Sequence, residues 1–170
     1  MLDDTFSTRF EDALDIAAKR LLETIEFRPE VFFSVFGRDD KVGELLDAWL
    51  AEVPLQRISV VEDSYFGDAS IDAVYLPVAD EILVSKISLV GKPLERIVDV
   101  LIEELGHRFD QQLGRETSGD EGRALVAALR GEPGLVPTEN DERVVSLPEV
   151  GKVKAEAATT VGDSGGYEGS

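Results

Sequence analysis

LERIVDVLIEELGHRFDQQLG, residues 94–114, is the stretch on which the reading of the whole chain turns. Its apolar residues Leu94, Val98, Leu101, Leu105 and Phe109 recur every three or four positions, which predicts an amphipathic helix over residues 94–113. Pro93 suits its first turn and Gly114 its stop. On the opposite stripe, at about 100° per residue, Glu103 and His107 lie about 40° apart, with Asp110 about 20° to the other side of Glu103. His107 is the only histidine, so any imidazole chemistry passes through this helix. The polar stripe faces either a cleft or solvent, and in solvent Glu103 and His107 form an ordinary i,i+4 pair. Gly106 stands in the helix interior, where it costs about 1 kcal/mol relative to alanine, a position often kept for close approach of another element.

Outward from this helix, residues 115–120 (RETSGD) read as a loop, and residues 121–129 as a shorter helix closed by Gly131 and Pro133. Upstream, IDAVYLP (71–77) and EILVS (81–85), separated by VAD, read as a β-hairpin, and RISVVED (57–63) as a strand by its β-branched content. Phe6, Phe10, Leu14, Ala17, Leu21 and Ile25 predict an amphipathic helix over residues 5–26. VFFSVFG (31–37) fits either a strand or a buried helix, and Asp39 or Asp40 can cap a second helix running to residue 50. Beyond about residue 140 no stable period is seen, and residues 141–170 read as a flexible linker or tail. The ending GDSGGYEGS suggests that the chain is cut from a longer protein.

The chain has 170 residues, 43% of them apolar, enough for one core of ordinary size. Lys and Arg total 17 against 35 for Asp and Glu, a formal charge of −18 that repels nucleic-acid phosphates and anionic membranes. The carboxylate excess serves solubility and is also compatible with hard cations. The absence of cysteine excludes disulfides, thiolate metal sites and cysteine nucleophiles. The first twenty residues lack the basic and apolar regions of a signal peptide, and no run is long enough for membrane insertion. Tyr65 and Tyr75 are candidates to steady an oxyanion, although an aromatic in an apolar strand is more often core, and Trp49 reads as packing.

The run EELGH (103–107), followed after thirteen residues by Glu121 in GDEGRALVAAL, resembles the minimal gluzincin metallopeptidases. Their active helix reads HELGH, and their next helix starts with a glutamate ligand; here Glu103 replaces the first histidine. Carried over position by position, the resemblance implies Glu103, His107 and Glu121 as metal ligands and Glu104 as the catalytic base. Asp110 and Asp120 stand as additional candidates. The implied cofactor is Zn²⁺, with Mn²⁺ or Ca²⁺ as alternatives because a second carboxylate hardens the donor set. Glu121 and Asp120 also have a plain reading, as a first-turn acid and an N-cap. Residues 70–132 further resemble a module of large, acidic, repeat-containing secreted bacterial proteins that bind calcium.

Together these readings predict one zincin-like α+β domain over residues 1–140, with a helical layer and a small sheet whose hairpin lies beside the long helix. In zincins an edge strand next to that helix pairs with the substrate backbone, and EILVS is the expected strand here. The expected function is hydrolysis of a peptide bond in a peptide, a protein or the chain's own parent, within a secreted or cell-surface protein. The alternative is a catalytically inactive structural, adhesion or metal-binding module, which Glu103 favours.

Overall fold

The computed structural model describes residues 2–62, 71–114, 121–131, 142–147 and 151–159. Among them the chain is mixed α+β. Its amino-terminal third is helical: α1 (Leu2–Phe27), α2 (Glu30–Phe36) and α3 (Asp40–Ala51). The ambiguous VFFSVFG segment is helix α2, because its i,i+4 pair Phe32 and Phe36 buries one apolar stripe. Both rings pack on Phe109, with centroids at 5.4 and 4.6 Å, and Trp49 of α3 meets the same ring edge-on at 5.0 Å. Asp39 caps α3 by accepting a hydrogen bond from Val42 N at 3.1 Å. Trp49 is buried, as its helical spacing predicted, and its indole donates to Gln112 Oε1 at 2.8 Å.

The sheet comprises β1 (Ile58–Val61), β2 (Ile71–Leu76), β3 (Glu81–Ser85), β4 (Glu142–Leu147) and β5 (Gly151–Thr159), in the order β1-β3-β2-β5-β4. β2 and β3 form the predicted antiparallel hairpin, with Tyr75 opposite Ile82. Two expectations are corrected here. EILVS is not an edge strand, because β1 pairs with it in parallel on the side away from β2. The β-branched run of β1 takes up the backbone groups that an edge strand would leave open.

Nor is the stretch after residue 140 simply a linker or tail: β4 and β5 pair with each other, and β5 pairs with β2. Lys152, Lys154 and Glu156 alternate with Val153, Ala155 and Ala157, a period-two pattern masked by small, weakly apolar residues. Residues 160–170 lie outside the described residues, as does Tyr65.

A short helix, α4 (Lys86–Gly91), follows β3 directly, with the Ser85 side chain as its cap. It is held from α1 by Arg9, which donates to the carbonyls of Leu89 (2.6 Å) and Lys92. Then come α5 (Leu94–Gln112) and α6 (Glu121–Leu129), close to their predicted bounds. α5 is the centre of the molecule, packed by α1, α6, β2 and β5. No helix among the described residues is long and apolar enough to cross a membrane.

Candidate metal centre

α5 begins behind Pro93, whose φ of −59° suits the helix start, and ends before Gly114, whose φ of +72° is the left-handed geometry of a helix stop. Between these ends the helix is buried on every side from Arg96 to Asp110. The solvated-face reading of its polar stripe is thereby overturned. Glu103 is 2% exposed, Glu104 0%, His107 2% and Asp110 8%. Ionised side chains are rarely buried so completely, because leaving water costs several kcal/mol per ion, of the order of the whole stability of a domain.

Gly106 explains what lies over Glu103 and His107. A Cβ at Gly106 would stand 2.9 Å from the Cα of Gly122, and a Cβ at Gly122 would stand 2.3 Å from the Glu103 carbonyl oxygen. The two helices therefore touch backbone to backbone, which only a glycine pair permits. The same Gly122 Cβ would lie 3.0 Å from His107 Nε2, so that nitrogen looks directly at the first turn of α6. Glu121, the residue before Gly122, opens that turn.

Of the predicted site residues, Glu103, Glu104 and His107 thus share one buried stretch of α5, with Asp110 one turn further along. Glu121 begins the helix that seats on His107, while its side chain, like the whole of Asp120, lies outside the described residues. Among the described residues no three His, Asp or Glu side chains converge as metal ligands. In kind the donors fit a divalent cation: buried carboxylates and an imidazole on one helix face, where a cation would offset the cost of burying negative charge.

Two buried polar assemblies around the helix were not anticipated from sequence. Arg108, fully buried, donates through Nε to Asp80 Oδ1 at 3.0 Å, through Nη2 to the Asp80 carbonyl at 3.0 Å, and through Nη1 to the Pro54 carbonyl at 2.8 Å. The Tyr75 phenol donates to the same Asp80 Oδ1 at 2.9 Å, so Tyr75 is a core residue that steadies the hairpin turn. Asp80 has a φ of +52°, a conformation uncommon outside glycine, and these bonds hold it there. The second assembly joins Asp72 of β2 to Arg96 of α5 and Ser88 of α4, each at 2.6 Å. An aspartate inside the apolar run IDAVYL was the visible signal for it. Nothing comparable marks Arg108, since arginine is ordinary on a helix and only packing shows it enclosed.

Comparison of the chain with protein-family models, with curated proteins and with solved structures returns no match.

Proposed function

We propose that the chain is a metal-dependent, zincin-like hydrolase domain of a larger secreted protein, cutting peptide bonds in a peptide, a protein or its own parent chain. The observation that carries this reading is the Gly106–Gly122 crossing, which seats the first turn of α6, opened by Glu121, against His107 Nε2. In this reading Glu103, His107 and Glu121 hold a divalent metal, with Zn²⁺ first and Mn²⁺ or Ca²⁺ as alternatives suited to the harder donor set. When bound, the metal supplies Lewis-acid polarisation of water and of a substrate carbonyl. Glu104 takes a proton from the attacking water and delivers it to the departing amine, as a C–O bond forms and the C–N bond breaks.

A second reading is favoured by the complete burial of Glu104, which leaves a base little room to meet a substrate, and by Glu103 itself. In that reading the domain is a catalytically inactive structural, adhesion or metal-binding module.

The deciding experiment is plasma mass spectrometry of wild type, His107→Ala and Glu104→Gln after exposure to Zn²⁺, Mn²⁺ or Ca²⁺, followed by digestion of a protein substrate. About one metal per chain, lost in His107→Ala but kept in Glu104→Gln together with loss of cleavage, supports the peptidase. Metal bound with no cleavage in wild type supports the inactive module. No bound metal in any of the proteins removes the peptidase reading and leaves an inactive structural or adhesion module.

A further inference from the structure

Far from the α5–α6 crossing in the chain, α1, α2 and α3 enclose an open groove of about 740 Å³, none of whose lining residues belongs to α5 or α6. Its apolar part is formed by Ile25, Phe33, Leu46 and Leu50, the last of these 41% exposed. Its charged part is unbalanced: Asp40, Glu44 and Asp47 stand there with Asp39, against a single Arg38. Gly43 also lines it, in the interior of α3.

Gly43 is the informative residue. A glycine inside a helix is unfavourable because it has the most backbone freedom to lose. Gly106 and Gly122 have a reason within the fold, since each would collide with the facing helix, but a Cβ at Gly43 would meet nothing within 4 Å. No packing among the described residues requires Gly43, and its bare helix backbone borders the groove.

We infer that this groove is a docking site for a basic, amphipathic segment of a partner protein. Its apolar side chains cover Phe33, Leu46 and Leu50, its backbone approaches α3 at Gly43, and its Lys or Arg side chains meet Asp40, Glu44 and Asp47. The charge imbalance selects a cationic partner, and apolar cover with an oppositely charged rim is the usual anatomy of a helix-in-groove or peptide-in-groove contact.

The test uses the full chain, ¹⁵N-labelled, titrated with an amphipathic Leu/Lys peptide and with its Leu/Glu counterpart, with shifts mapped by residue. Shifts confined to α1–α3 around the groove are expected with the Leu/Lys peptide alone. Gly43→Ala raises the thermal midpoint while weakening the peptide about tenfold, because the added methyl occupies the approach. Glu44→Lys/Asp47→Lys weakens it by about tenfold as well, whereas Glu11→Lys/Asp15→Lys, an equal charge change on exposed positions of α1, leaves affinity within about twofold.

Several results overturn the inference: no binding, shifts spread over the acidic surface, equal binding of the Leu/Glu peptide, or Gly43→Ala binding as tightly as wild type. Concentration-dependent shifts at the groove without peptide overturn it in favour of a second copy of the chain. All of these readings are independent of metal content or hydrolysis.

Discussion

Replacing Gly122 with alanine should force α5 and α6 apart, and the structure sets the size of the effect. The new Cβ would stand 2.3 Å from the Glu103 carbonyl oxygen and 3.0 Å from His107 Nε2. The first contact is roughly 1 Å inside ordinary van der Waals separation, and its partner is backbone that cannot swing aside. Overpacking of this kind costs about 1–3 kcal/mol, against a gain of at most about 1 kcal/mol from placing alanine in a helix. A net loss of about 2 kcal/mol is expected.

Gly106→Ala meets the same helix at 2.9 Å with a full interior-helix gain, so its loss should be smaller, about 1 kcal/mol or less. Gly43→Ala meets nothing and should stabilise by about 1 kcal/mol. The extremes therefore differ by about 3 kcal/mol, a shift of about 1 M or more in the urea midpoint at an unchanged slope. The measurement is urea unfolding followed by far-ultraviolet circular dichroism for the three variants under identical conditions. Gly122→Ala as stable as Gly43→Ala would refute the close crossing, and with it the placement of the α6 first turn over His107.

Arg108→Ala removes three donated bonds from a fully enclosed guanidinium and should cost about 3–5 kcal/mol, with Arg108→Lys recovering only part because an ammonium cannot span Asp80 and Pro54 together. A loss below about 1 kcal/mol in urea unfolding would contradict that role. Asp72→Ala takes the carboxylate from buried Arg96 and Ser88 and should also cost about 3–5 kcal/mol. Asp72→Asn should fall between it and wild type, and calorimetry of the pair checks the order. Asp39→Ala removes the α3 cap and should lower stability by about 1 kcal/mol, with Asp39→Ser restoring most of it.

The helices of this protein were legible because their signals are local. The three- and four-residue spacing of Leu94 to Phe109, the Pro93 start and the Gly114 stop act within a few turns, and α5 and α6 fall close to where those signals put them. The hairpin was legible for the same reason, its two strands being joined through VAD. Strands β4 and β5 were not, because the alternation of β5 is carried by alanine and lysine, its partner β2 lies some eighty residues upstream, and β4 is placed only through β5.

At the candidate site, sequence alone determined which residues are available: one histidine, its neighbouring glutamates, an interior glycine and a second helix opening on Glu121. Helical periodicity also set which of them share a stripe of α5. Whether that stripe meets water was decided only by tertiary structure. Burial depends on what covers a helix, and at Glu103 and His107 the cover is α6, admitted by two glycines that lack the side chains to keep it away.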